Sequence, residues 1–125
     1  MIALRSGVLC CVLLSALLAC KSSPGSGSCR ARLVFEGKPF EATGDDPEKA
    51  KQSVCLGWCT AHDPTIDAAL VRWKATPEGA KSTDTRFGDV YSNLPGGREL
   101  LERCKTRCLG QVNAEQPSPV TVSCP

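Results

Sequence analysis

The sequence predicts a small α+β domain stapled by disulfides, with three helices, a short β-hairpin and a C-terminal strand in the order β-β-α-α-loop-α-β. Three observations predict it: nine cysteines in 125 residues, two Cys-x-x-x-Cys pairs inside helical patterns, and alternating apolar residues at both ends of the domain. A chain of this length holds one domain. The net charge of +2, with both signs interspersed, excludes a basic stripe for nucleic acid.

The strands are predicted from alternation and turn signals. Residues 29–35 alternate between apolar and mostly polar side chains, as in a half-buried strand. Residues 36–39 contain Gly and Pro and indicate a turn, after which residues 40–43 return as a second short strand. Residues 120–124 alternate again and predict the last strand. The domain is therefore expected to span residues 29–125.

The helices are predicted from caps and apolar periodicity. Asp45 or Asp46 caps the first helix, which runs to about residue 61. Asp63 caps the second helix, which ends before Pro77. Trp58 and Trp73, one on each apolar face, are expected in the core.

The third helix follows a long linking segment. It starts after Gly97 and is expected to end at Gly110, a typical C-cap. Residues 77–97 are predicted as a long loop in which Phe87, Val90 and Tyr91 have the spacing of one helical turn. Because long ordered loops often carry function, Phe87 and Tyr91 are the candidate residues for contact with a partner.

The cysteine spacing predicts how the helices are joined. A Cys-x-x-x-Cys pair places two sulfurs one turn apart on one helical face, so two such faces can be linked by two disulfides. We favour the nested pairs Cys55–Cys108 and Cys59–Cys104, while the parallel alternative, Cys55–Cys104 with Cys59–Cys108, remains open. A third bridge, Cys29–Cys124, is expected between the strands that bracket the domain. Bonds within one pair are disfavoured because the two Cβ vectors are parallel.

The N-terminus predicts export. Residues 1–6 carry one positive charge, and residues 7–18 are apolar apart from Ser15. These 12 or so apolar residues are too short to span a bilayer, which needs roughly 20, and are typical of a secretory signal peptide. They end in Leu17-Leu18-Ala19-Cys20, which resembles the lipobox of bacterial lipoprotein precursors. An ordinary signal peptide cut nearby is the alternative.

The lipobox resemblance implies specific processing. Residues 1–19 would be removed as the signal peptide, and a diacylglyceryl group would join the sulfur of Cys20. Residues 20–28 would then be the lipidated cysteine and a flexible polar tether. Lys21, in place of the Asp that retains such proteins at the inner membrane, implies the outer membrane of a Gram-negative bacterium.

Cysteine parity agrees with the lipobox interpretation. Cys10 and Cys11 would leave with the signal, and Cys20 would be capped by lipid. Six cysteines remain, an even number that can pair completely.

Catalytic and metal motifs are weak in this sequence. One histidine, His62, is present, and none of the common nucleophile, metalloprotease, phosphate-loop or dinucleotide motifs occurs. We therefore expect no enzyme and no cofactor. The alternative is a metal-binding or redox-active lipoprotein that uses Cys55, Cys59 and His62, although zinc sites favour tighter Cys-x-x-Cys spacing.

The twin Cys-x-x-x-Cys pattern also resembles two groups of helical-hairpin proteins. These are the twin-cysteine chaperones of the mitochondrial intermembrane space and the disulfide-stapled hairpin peptides of plants. The resemblance implies the stapling geometry and no function, since a whole helix intervenes here. The chain as a whole resembles cysteine-rich bacterial lipoproteins, for which we expect a non-catalytic binding or structural role, with the membrane and an envelope protein or peptide as partners.

Overall fold

The structure, a computed structural model, describes residues 28–125, which form one three-stranded antiparallel sheet and five helices. The strands are β1 (Cys29–Phe35), β2 (Lys38–Gly44) and β3 (Val120–Ser123), in the order β2-β1-β3. The helices are α1 (Pro47–His62), α2 (Pro64–Lys74), α3 (Pro77–Lys81), α4 (Phe87–Val90) and α5 (Gly97–Ala114). This confirms the predicted α+β class. The predicted signal peptide, Cys20 and nearly all of the tether lie outside the described residues.

The hairpin turn is tighter than the sequence analysis predicted. Glu36 and Gly37 both have positive φ, 48° and 75°, so the connection is a two-residue turn whose twist matches that of the strands. β2 consequently begins at Lys38 rather than Phe40. Pro39 of β2 pairs with Val34 of β1. The N–H of Val34 donates instead to the carbonyl of Pro119, just before β3, so this pair of β1 and β2 needs no hydrogen bond from the proline, which has no N–H.

The core lies between the sheet and α1. The inward residues of β1 are all buried, and so are the residues of the α1 stripe, Ala50, Val54, Cys55, Trp58 and Cys59. Trp58 is fully buried; its ring meets Phe35 edge-on at 4.6 Å, and its Nε1 donates to the carbonyl of Lys38 at 3.1 Å. Trp58 and Trp73 are therefore core residues, as predicted.

Two bridges staple α5 to α1. The disulfides join Cys55 to Cys108 and Cys59 to Cys104, which is the nested arrangement of two antiparallel helices. A third bridge joins Cys29 to Cys124 and so links the start of β1 to the residue that follows β3. Much of the core between α1 and α5 is sulfur, because Cys55, Cys59 and Cys108 are all fully buried.

The segment predicted as a loop contains two short helices. Thr76 caps α3 by accepting from the N–H of Gly79, and Phe87, Val90 and Leu94 are all buried. Lys74 holds the stretch between the helices, since its Nζ donates to the carbonyls of Ser82 at 2.7 Å and Asp84 at 2.9 Å. The segment is thus packed onto the core.

The C-terminal end of α5 also differs from the prediction. The helix does not end at Gly110 but continues to Ala114. Val112 explains the extension, because burying it against the core requires one more turn. Gly110 is an exposed glycine inside the helix with no atom within 4 Å of the position of an added Cβ.

Candidate binding cleft

One depression of about 260 Å³ lies where the N-terminal end of α2 approaches α5. We call it the α2–α5 cleft. Its lining comprises apolar groups, two arginines, one threonine and one carboxylate: Asp63, Thr65, Ile66, Leu100, Arg103, Cys104 and Arg107. The lining contains no histidine, so it offers no imidazole base for nucleophilic chemistry.

Asp63 anchors the cleft and is the one buried charged residue among residues 28–125. Its Oδ1 accepts from the N–H groups of Thr65 at 2.9 Å and Ile66 at 3.0 Å, which caps α2. Its Oδ2 accepts from Nη2 of Arg107 at 2.7 Å. The burial of this carboxylate is therefore compensated by three donors, one of them charged.

Arg107 is held on three sides but remains accessible. Its Nη1 lies 3.3 Å from Oε1 of Glu36, and its guanidinium lies 5.8 Å from the ring centroid of Phe35. The side chain is nevertheless 47% exposed. A guanidinium carries five N–H donors, and the contacts with Asp63 and Glu36 use only some of them, so donors remain for a further partner.

Arg103 lies one turn before Arg107 on the same side of α5 and is exposed. Within residues 28–125 no carboxylate pairs with it, whereas the neighbouring Glu102 pairs with Lys105 at 2.8 Å. Of the two guanidinium groups in the lining, that of Arg107 is matched by Asp63 and Glu36, and that of Arg103 has no carboxylate partner within residues 28–125. Its floor, formed by Ile66, Leu100 and Cys104, is apolar.

The cleft lies at the end of the domain opposite the predicted anchor. β1 runs from Cys29 to Phe35, a distance of about 20 Å for seven residues in a strand. The next residue, Glu36, contacts Arg107 of the cleft. The tether would join the domain at Cys29, so strand β1 separates the attachment point from the cleft.

A second depression, of about 330 Å³, lies at the end of the domain where β1 begins. Its lining includes Gly44, which pairs with Cys29 across the sheet, and the first turns of α1. Lys49 in this depression lies 3.5 Å from Asp45 and 3.8 Å from Asp46, so its charge is already matched. This depression offers no unmatched charged group comparable to Arg103.

The two partner-contact candidates from the sequence lie side by side, and one of them is in the core. Phe87 is 1% exposed and belongs to the core, which corrects its assignment as a contact residue. Tyr91 is half-buried and its ring stacks on that of Phe87 at 6.4 Å. The predicted long loop suggested the contact role, whereas the helical spacing of Phe87 and Val90 is that of residues that dock the 77–97 segment on the core.

The residues of the metal or redox alternative are engaged elsewhere. Cys55 and Cys59 are each bonded to a sulfur of α5, so in this state neither is a thiolate. Nε2 of His62 lies 3.2 Å from the carbonyl oxygen of Pro39, and its ring packs against Phe40 and Trp58. In residues 28–125 no three His, Cys, Asp or Glu side chains are grouped closely enough to hold a metal ion.

Sequence reasoning missed the cleft because each of its parts has an ordinary explanation. Asp63 has the position of a helix cap, and arginines such as Arg103 and Arg107 are typical of a solvated helix face. The available signal was the spacing of Leu100, Arg103, Cys104 and Arg107, which places two arginines beside the cysteine face of α5. The pairing of Arg107 with Asp63, 44 residues away, required the structure.

Comparisons with known proteins leave the chain without a family. A scan against family models, a search of curated proteins and a search of solved structures each found no match. No helix within residues 28–125 combines the length and apolar character needed to cross a membrane.

Proposed function

We propose that this chain is the precursor of a bacterial lipoprotein whose domain is a non-catalytic binding module of the cell envelope. The observation that carries the proposal is cysteine parity. The six cysteines that follow the lipobox pair only with one another, in three disulfides. Three disulfides are stable in an oxidising compartment, and the lipobox-like residues 17–20 supply a route to it.

The anchor determines which part of the domain is available to a partner. Two or more acyl chains give stable membrane attachment, and the predicted tether, residues 21–28, would link them to β1. A flexible chain of eight residues would have a mean span of about 15 Å. The α2–α5 cleft lies a further strand length away, so it is the part of the domain best placed to meet a partner away from the lipid surface.

The non-catalytic role is supported by the composition of the two depressions. Neither is lined by a histidine or a free cysteine, and their carboxylates are paired with lysine or arginine. A rigid scaffold with exposed arginines suits recognition, since arginine is enriched at protein interfaces. Placement at the outer membrane rests on Lys21 and belongs to the same proposal.

Metabolic labelling with an alkyne fatty acid tests the anchor. The wild-type chain, expressed in a Gram-negative host, should incorporate the label and fractionate with outer membranes. Cys20→Ser should abolish labelling, because the thioether can form only at the sulfur. Cys11→Ser is the matched control, since it changes a cysteine of the predicted signal and should leave labelling unchanged.

Two results would contradict the anchor proposal. One is a Cys20→Ser chain that is labelled as strongly as the wild type. The other is a wild-type chain that is cleaved and found unlabelled in the soluble periplasmic fraction, as an ordinary secreted protein would be.

A further inference from the structure

We propose that the α2–α5 cleft binds the C-terminal residue of a partner peptide, with its carboxylate at Arg103 and Arg107 and its apolar side chain on the floor of the cleft. This inference deepens the proposed binding function and rests on it. Three features carry it: the charge of the lining, the fixed position of one arginine, and the size and apolar character of the floor.

The charge of the lining favours an anion. Arg107 is shared by Asp63 and Glu36, so the positive charge left unmatched in the lining is that of Arg103. Asp63 does not compete for a ligand, because its two oxygens already accept three hydrogen bonds. The first N–H groups of α2 all donate to Asp63: those of Thr65 and Ile66 to its side chain, and that of Asp67 to its backbone carbonyl at 3.0 Å. The arginine side chains rather than the helix end would therefore bind the ligand.

Arg107 gives the cleft a donor that is already in place. Contacts with Asp63, Glu36 and the Phe35 ring fix its guanidinium before any ligand arrives. Binding therefore does not have to order a free arginine side chain at this position, which lowers the entropic cost of binding. Arg103 is exposed and has no carboxylate partner in the described chain, so its guanidinium can donate to the second oxygen of the ligand carboxylate.

The floor of the cleft selects the group beside the anion. Ile66, Leu100 and Cys104 present apolar surface next to the two arginines, in a space of about 260 Å³. That space suits one residue rather than a folded partner segment. A carboxylate and an apolar side chain on the same carbon are the chemistry of a peptide's C-terminal residue. A free inorganic anion would leave the apolar floor unused.

A pair of matched probes tests the proposal. Fluorescein-labelled Gly-Gly-Leu with a free carboxylate, and the same peptide with a C-terminal amide, are titrated with the full mature protein in nanodiscs and followed by anisotropy. The acid should bind at least tenfold more tightly than the amide. Raising the salt concentration should reduce the difference in affinity between the acid and the amide, because salt screens charges on partly exposed arginines.

Variants then assign the binding to the cleft. Arg103→Gln should reduce affinity for the acid about tenfold and leave the amide unaffected. Arg98→Gln is the matched control, since Arg98 is exposed on the same helix but does not line the cleft. Arg103 has no partner in the described chain, so its replacement should leave the melting temperature within about 1 °C, which circular dichroism checks.

Several outcomes would overturn the proposal. Equal affinity for acid and amide, equal losses in Arg103→Gln and Arg98→Gln, or no binding below 5 mM probe would each exclude a carboxylate site in the cleft. Failure of the anchor proposal is distinguishable, because it is read from fatty-acid labelling and not from the probes. A chain that carries lipid but binds neither peptide would support the anchor proposal and contradict the proposal of a carboxylate site.

Discussion

The nested bridges between α1 and α5 should show a specific energetic coupling. Each bridge shortens the loop that the other has to close in the unfolded chain. With Cys59–Cys104 intact, Cys55–Cys108 closes only the two helical segments 55–59 and 104–108, a loop of about ten residues. Without it, the same bridge closes a loop defined by its full sequence separation of 53 residues. The cost of removing one bridge therefore depends on whether the other is present.

The magnitude follows from loop-closure entropy. A loop of about ten residues corresponds to roughly 2.6 kcal/mol, and a loop of the lengths set by separations of 45 and 53 residues to roughly 4 kcal/mol. Replacing either nested pair by alanines should thus cost about 2.6 kcal/mol in loop entropy, and replacing both about 6.7 kcal/mol. The coupling free energy is about 1.5 kcal/mol. Lost sulfur packing adds to each variant but cancels in the coupling to first order.

A double-mutant cycle measures this coupling. The free energy of unfolding is obtained by urea denaturation of wild type, each double-alanine variant and the four-alanine variant. Trimethylamine N-oxide is added throughout so that the least stable chain remains folded. Bridge Cys29–Cys124 provides the control cycle. It closes a loop of roughly 45–50 residues whichever nested bridge remains, so its coupling free energy with either nested bridge should be about 0.2 kcal/mol or less. Additive losses at the nested bridges, within about 0.5 kcal/mol, would refute the reasoning.

Two further predictions concern packing and the buried carboxylate. Gly57→Ala should destabilise the domain by about 1–3 kcal/mol, because its Cβ would collide with the Phe40 ring, whereas Gly110→Ala, with open space in mid-helix, should stabilise it by about 0.5–1 kcal/mol. Urea denaturation checks both, and equal effects would contradict the packing described. Asp63→Asn keeps the cap oxygen but loses the charged bond to Arg107, so it should cost about 1 kcal/mol in the same assay. A cost below about 0.3 kcal/mol would show that the pair is not stabilising.

Much of the fold could be predicted from local signals. Alternation located β1 and its buried face, and the Asp-Pro sequences located the starts of α1 and α2, because a cap and a proline act within one turn. The ends of elements were less predictable. Gly110 is a typical helix terminator, but burial of Val112 carries α5 one turn further. Tertiary packing here outweighs a local cap preference.

The candidate site was less predictable than the fold. Phe87 is a contact candidate in the sequence because it lies in a predicted long loop, yet the structure buries it in the core, through contact with elements distant in sequence. Arg107 looked like an ordinary surface cation, and its link to Asp63 and Glu36 depends on the hairpin turn meeting α5. Such long-range pairs of opposite charge leave no mark in the local pattern of the sequence.

Intact mass spectrometry of the non-reduced protein, extracted from membranes, is the most direct test of the central claim that this is an exported, lipid-anchored domain with three disulfides. The predicted mass is that of residues 20–125 plus a diacylglyceryl group and, where the new amine is acylated, a further fatty acyl chain. Six hydrogens would be missing, two for each of the three bridges. Metal analysis of the same sample should find no stoichiometric ion. Free thiols with bound zinc or copper, or an unmodified N-terminus, would contradict the account.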